Sequence, residues 1–196
     1  MRGFVNKRTG IAGYSGSGKS TVARLLAGPA TTAMIIDADA EAKKFIAGDP
    51  MLVRRLVDVF GPMIMENNEL KFSVLGTMVF SSKDNLLQYN GIVHPPFFPK
   101  LQNLINGHGD RPVVLDAALI PLWGIESWFD TCIWVQASFA TRLLRVKSRS
   151  NNPEPGAVEN RLCIQEEIMK EPLGRPWVRI ENEGRLEDLS RAVDDL

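Results

Sequence analysis

Between residues 13 and 20 the chain reads Gly-Tyr-Ser-Gly-Ser-Gly-Lys-Ser, which is the pattern GxxxxGK[ST]. Every position in it answers to an anion. The glycines open backbone angles closed to other residues and let amides approach a ligand. Those amides, with the positive end of a following helix, cradle phosphate oxygens. Lys19 neutralises charge between the outer phosphates, and the Ser20 hydroxyl suits Mg²⁺. The candidate nucleotide-holding residues are therefore Gly13, Gly16, Ser17, Gly18, Lys19, Ser20 and Thr21. At average composition such a pattern arises by chance in under about 1% of chains of this length. A GTP-reading protein normally adds NKxD, but Asn6-Lys7 precedes the loop and runs into Arg8-Thr9. ATP with Mg²⁺ is the expected ligand.

The loop does not say where a phosphoryl group goes; the acids decide that. Asp37 follows the apolar run Ala33–Ile36, and Asp39 stands two residues on. Transfer to a hydroxyl needs an acceptor for the departing proton. Asp37, at a strand end, is expected to serve there. Asp39 reads equally as a functional acid or as the cap of the next helix. Asp116 closes the run Val113–Leu115 and is expected to steady Mg²⁺ beside Ser20. His94 stands before Pro95, and His108 lies among Gly, Asn and Asp residues that predict a loop and is given no role. Arg142, Arg145 and Arg149 are spaced three and then four apart, so one helix face carries all three. With Lys147 and Arg161 they flank a Pro/Gly turn at 151–156. Arginines so placed can swing onto a transferring phosphoryl group and exclude water, as a lid does. Arg149 is the first candidate for that task.

These residues need a frame. A strand ending near Ile11-Ala12, a helix from about Gly18 to Ala27 and a strand at 33–36 come first. Helices are expected at 39–47, 50–59, 72–80 and 83–93, with Pro95, Pro96 and Pro99 breaking the backbone after His94. Strands at 112–116, 131–135 and 177–180 alternate with helices at 138–149, 157–170 and 186–193. Alternation of this kind implies a parallel sheet covered on both faces. Ligands in such sheets sit beyond the carboxyl ends of the strands, where Gly13, Asp37 and Asp116 all fall.

The bulk composition narrows the class. The chain has 196 residues, enough for one domain or one domain with an inserted lid. The 23 basic and 23 acidic side chains cancel, so no global attraction to nucleic acid or an anionic membrane exists. Cys132 and Cys163 form no CxxC pair and read as reduced thiols, not as a zinc site. No run is long enough to cross a bilayer, and residues 1–10 lack a signal-peptide core. A cytoplasmic protein is expected, with its oligomeric state open.

The ordered set of segments resembles the dephospho-CoA kinase family. The resemblance begins at Gly13–Val22 and continues through Asp37-Ala-Asp39, Val59-Phe-Gly61 and Val79-Phe80. It includes Ile92-Val-His-Pro95, Val114-Leu-Asp116, Arg145-Val-Lys-Ser-Arg149 with Arg161 and Gln165, and Asn182-Glu-Gly184 with Leu186 and Leu189. It implies an α/β P-loop NTPase fold of nucleoside-monophosphate-kinase type over 1–196. A helical acceptor-binding region would span about 40–105 and a lid about 140–165. It also implies phosphoryl transfer from ATP to the ribose 3′-hydroxyl of dephospho-CoA, giving coenzyme A. Asp37, Asp39 and His94 would then face the acceptor, and Arg149 and Arg161 the phosphates. Three positions depart from that family's usual residues. Lys43 and Phe72 stand where arginines are common, and Leu122 where an acid is common. These bear on acceptor binding and leave the phosphate loop untouched. Another small-molecule kinase of this architecture (nucleoside, nucleoside-monophosphate or shikimate type) shares the loop and fold. So does a nucleotide-dependent binding protein without rapid turnover.

Overall fold

The computed structural model describes residues 8–28, 32–149, 156–172, 174 and 176–196. Pro29 and most of the expected turn at 151–156 lie outside them.

Five strands form one sheet in the order β2-β5-β1-β6-β7, and every pairing is parallel. They are β1 (Arg8–Ala12), β2 (Met34–Asp37), β5 (Val113–Asp116), β6 (Thr131–Gln136) and β7 (Trp177–Glu181). Their side chains alternate between two cores, as a strand period of two requires. Ala12, Val113, Leu115, Cys132 and Trp134 pack on one side with Phe97, Leu101 and Ile105 of helix α5 (Lys83–Asn106). Ile11, Val114, Ile133 and Val135 pack on the other with α1 (Lys19–Ala27) and α9 (Leu186–Asp194). Both faces are thus covered, and the strands read as nearly continuous apolar runs.

A third core lies away from the sheet. Helices α2 (Ala38–Ala47), α3 (Pro50–Phe60) and α4 (Phe72–Val79) meet the first half of α5 there, through Ile46, Leu52, Leu56, Leu75, Val79 and Val93. Ile164 of α8 (Ala157–Ile168) joins them, so the helix after α7 (Phe139–Arg149) is tied to this region. A short antiparallel pair, β3 (Met65–Glu66) and β4 (Glu69–Leu70), turns through Asn67 and Asn68 at positive φ. The one-turn helix α6 (Ile120–Trp123) follows β5.

One expected break is corrected. Pro95, Pro96 and Pro99 lie inside α5, which runs unbroken for 24 residues. Each proline removes an amide donor. The helix nevertheless continues, because Leu86, Asn90, Val93, Phe97, Leu101 and Ile105, spaced three or four apart, are all buried. Tertiary burial, at about 1.5–3 kcal/mol per large apolar side chain, overrides the local penalty. The consequence is that one rigid rod spans from the helical region to the sheet.

Candidate functional site

The phosphate loop leaves β1 at the centre of the sheet and ends at the N-terminus of α1. Ser17 donates its amide to the Tyr14 carbonyl at 3.1 Å, which closes the loop. Gly13 has φ +145, and a Cβ there would stand 2.3 Å from the Val135 carbonyl oxygen. Gly18 has φ +101, and a Cβ there would stand 2.2 Å from Asn182 Nδ2. No other residue type fits either position. Tyr14 fixes the loop from below: its hydroxyl donates to the Met169 carbonyl at 2.9 Å, and its ring meets Trp134 edge-on.

The acids arrive by strand register. Asp37 of β2 pairs with Asp116 of β5, and Asp116 pairs with Ile11 of β1. The three strand ends are therefore level beside the loop. Ser20 donates its hydroxyl to Asp116 Oδ2 at 2.5 Å. Burial raises the Asp116 carboxyl above the ordinary range, opposed by the Ser20 hydrogen bond and the Lys19 charge. Lys19 donates to the Tyr14 carbonyl at 3.2 Å. Burial lowers its ammonium below the ordinary lysine range, against the pull of Asp116, Asp39 and Asp37. One cation thus sits within electrostatic reach of every expected acid.

Hard oxygens from Ser20 and Asp116 suit Mg²⁺. Among the described residues no cluster of three or more His, Cys, Asp or Glu side chains stands ready to cage a metal. An ion at this pair would complete its shell from phosphate oxygens and water, as Mg²⁺ at nucleotides does.

The structure decides which acid caps the helix. Asp37 accepts from the Ala40 amide at 3.0 Å and is the N-cap of α2. Asp39, which reads in sequence equally as cap or functional acid, is an exposed first-turn residue in the wall of a cavity.

That cavity, of about 230 Å³, lies between α2, α4, α5 and α6. Asp39, Lys43 and Arg161 supply its charge, and Phe72, Tyr89, His94, Phe97 and Trp123 its aromatic lining. Arg161 stacks on Phe80 at 4.5 Å. Two of the three departures thus fall in this wall: Lys43 lies over the Phe72 ring at 5.9 Å. Leu122 is exposed and takes no part in it.

His94 accepts at Nδ1 from Trp123 Nε1 at 3.0 Å. Its proton therefore resides on Nε2, and burial pushes its pKa from 6.5 down to about 4. A base with a depressed folded-state pKa binds fewer protons folded than unfolded between those two values. Stability then falls as pH drops through 6.5 and levels off below about 4. The expected loss attributable to His94 is about 2 kcal/mol between pH 7 and pH 5. Urea unfolding of wild type and His94→Gln at both pH values checks this. The wild type should lose that much more, and parallel losses in both proteins would show that His94 is not the cause.

The basic helix divides into three different environments. Arg142 is buried, 1% exposed. Its Nε donates to the Ala137 carbonyl at 3.1 Å, it pairs with Glu166, and its guanidinium lies 4.8 Å over the Tyr14 ring. Of the three arginines expected on one helix face, this one is therefore part of the core. Arg145 reaches the loop from outside, with Nη1 3.4 Å from the Gly16 carbonyl and Nη2 3.4 Å from Asn182 Oδ1. Arg149 is exposed at the end of α7.

Two further polar residues lock onto the loop; both stand in the segments that carry the resemblance, which gave neither of them this contact. Asn182, just past β7, donates to the Ser17 carbonyl at 2.7 Å. Gln165 of α8 accepts from the Ser15 amide at 2.7 Å. Both bonds join residues some 150 positions apart or more.

Sequence comparisons with known proteins point to one family. The family profile described as dephospho-CoA kinase matches residues 8–188. A dephospho-CoA kinase of Geobacillus kaustophilus is 31% identical over 188 residues, covering 94% of this chain and 92% of that protein. One from Deinococcus radiodurans is 31% identical, covering 96% and 89%. Among solved structures, TT1252 from Thermus thermophilus superposes with a TM-score of 0.69 at 28% identity, covering 96% of this chain and 94% of that one. A dephospho-CoA kinase from Campylobacter jejuni shares the fold, with a TM-score of 0.55 at 16% identity over 96% and 94%.

Proposed function

This chain belongs to the dephospho-CoA kinase family, and on that premise we propose that it transfers the γ-phosphoryl group of ATP to the ribose 3′-hydroxyl of dephospho-CoA. The products are coenzyme A and ADP. The bond from phosphorus to the β,γ-bridging oxygen breaks, and a bond from phosphorus to the acceptor oxygen forms.

The observation that carries this reading is the electrostatic company of Lys19. Its ammonium feels Asp116, which accepts from Ser20, and Asp39 and Arg161 of the cavity wall, with Asp37 at the strand end level with Asp116. A phosphoryl group held at Lys19 therefore lies between a metal-steadying acid and the acceptor's cavity. The loop amides and the start of α1 hold the phosphates. Ser20 and Asp116 would hold Mg²⁺, which when bound neutralises charge on the phosphate oxygens. Asp37 keeps one carboxylate oxygen on its helix cap, and its second oxygen takes the proton of the 3′-hydroxyl. Asp39 and His94 border the acceptor's cavity. Arg149 and Arg161, on the two helices around the 150–155 segment, serve the phosphates when the lid over about 140–165 closes. The acceptor-binding region corresponds to about 40–105. No helix of the described residues is long and apolar enough to cross a membrane, and we place the enzyme in the cytoplasm.

Incubation with ATP, Mg²⁺ and dephospho-CoA tests the reading. Coenzyme A should form in step with ADP. ADP released only with another acceptor, such as a nucleoside or shikimate, would replace the acceptor. ADP release that no acceptor stimulates would replace the kinase by a nucleotide-binding protein.

A further inference from the structure

Asn90 lies on α5 in the wall of the cavity that also carries Asp39 and His94. It is only 8% exposed. Neither its Oδ1 nor its Nδ2 is hydrogen bonded to any described residue, and both atoms are shielded from solvent. An amide left so is unfavourable, since each buried polar group without a partner costs folding free energy. Leucine, of similar size, would fill the position without that cost. The remaining use for a buried donor and acceptor side by side is a ligand that presents the complementary pair.

The surroundings define that ligand. His94 stands one helical turn further on, with Nδ1 engaged by Trp123 and its proton on Nε2. Phe72, Tyr89, Phe97 and Trp123 contribute flat or apolar walls. The charged groups, Asp39, Lys43 and Arg161, are held on other helices, α2 and α8. A flat heteroaromatic ring with a donor next to an acceptor on one edge fits, provided its charged parts leave toward those groups. Adenine is such a ring: its N6 amino group donates, and its N7 accepts. An asparagine amide meets that edge with two hydrogen bonds.

We propose that Asn90 grips the edge of the acceptor's adenine, so that this cavity is the acceptor's base site and Asn90 sets the choice of base. The inference rests on dephospho-CoA being the acceptor and goes beyond it by naming a specificity residue. On that edge hypoxanthine presents O6 and N7, both acceptors, so the amide can satisfy only one of them whichever way it is turned. Pairing of this kind discriminates by about ten- to a hundredfold.

The test compares dephospho-CoA with its hypoxanthine analogue, at saturating ATP and Mg²⁺, in wild type and Asn90→Leu. Wild type should use the adenine acceptor with a kcat/KM about ten- to a hundredfold higher. Asn90→Leu should lose that ratio, raise KM for dephospho-CoA and leave KM for ATP unchanged. Its melting temperature without ligand should be equal to or above that of wild type. Equal use of both acceptors by wild type overturns the inference alone, and that measurement needs no variant to fold. A wild-type ratio retained in Asn90→Leu also overturns it, as does a shift in KM for ATP in place of the acceptor's. No coenzyme A from wild type at all would remove the functional reading first, and this inference with it.

Discussion

Lys19→Ala should reduce turnover at least about a hundred- to a thousandfold, the loss that follows removal of one preorganised positive group from a transferring site. The electrostatics make this residue more than one contact among many. Asp116, Asp39 and Asp37 all pull on its ammonium, and burial opposes them. Without Lys19, incoming phosphates would meet those three carboxylates with no countercharge from the loop. Both ATP affinity and the chemical step should therefore suffer. The fold should not. Burial disfavours its ammonium, and its one hydrogen bond, to the Tyr14 carbonyl, is internal to the loop, so the core packing does not depend on it. Steady-state kinetics of Lys19→Ala, with a thermal melt on the same sample, make the check. A substantial residual rate in folded protein would remove the phosphate role given to this side chain.

The phosphate loop was legible because its information is local. Eight consecutive residues carry the turn, the amides and the cation, and the strand and helix on either side follow from apolar runs. Asp37 and Asp116 were legible for a related reason, since an acid after a short apolar run in an alternating chain falls at a strand end. Their mutual register was not, because it depends on the strand order β2-β5-β1, which no single segment encodes.

Residues whose meaning is a long-range contact stayed hidden. Arg142 looks like its neighbours Arg145 and Arg149 in sequence, yet it is buried between Tyr14, Phe139 and Glu166. Only the docking of α7 against the loop distinguishes it. The prolines of α5 misled in the opposite direction, since a local rule predicts a break where burial of Phe97, Leu101 and Ile105 sustains a helix. That error also concealed the cavity wall. Phe97 joins Asn90, Val93 and His94 on one side of it only because the helix continues past Pro95.

Asp37→Asn should lower kcat by about a hundred- to ten-thousandfold, the range for loss of a general base, while ATP affinity stays within about threefold. The capping contact makes this substitution informative. Asp37 holds the Ala40 amide through Oδ1. Asparagine caps as well as aspartate, so α2 should keep its start and Asp39 its place in the cavity wall. The charge lost at the helix N-terminus costs only about 0.3–1 kcal/mol. Asp37→Ala removes the cap as well and should cost about 0.5–2 kcal/mol, with a similar fall in kcat. Measured together, the two variants separate chemistry from architecture. If kcat falls in Asp37→Ala and not in Asp37→Asn, the residue acts through its cap and the proton goes elsewhere, with Asp39 the carboxylate in the cavity wall. If ATP binding falls as far as kcat in Asp37→Asn, the carboxylate serves the nucleotide and not the acceptor hydroxyl.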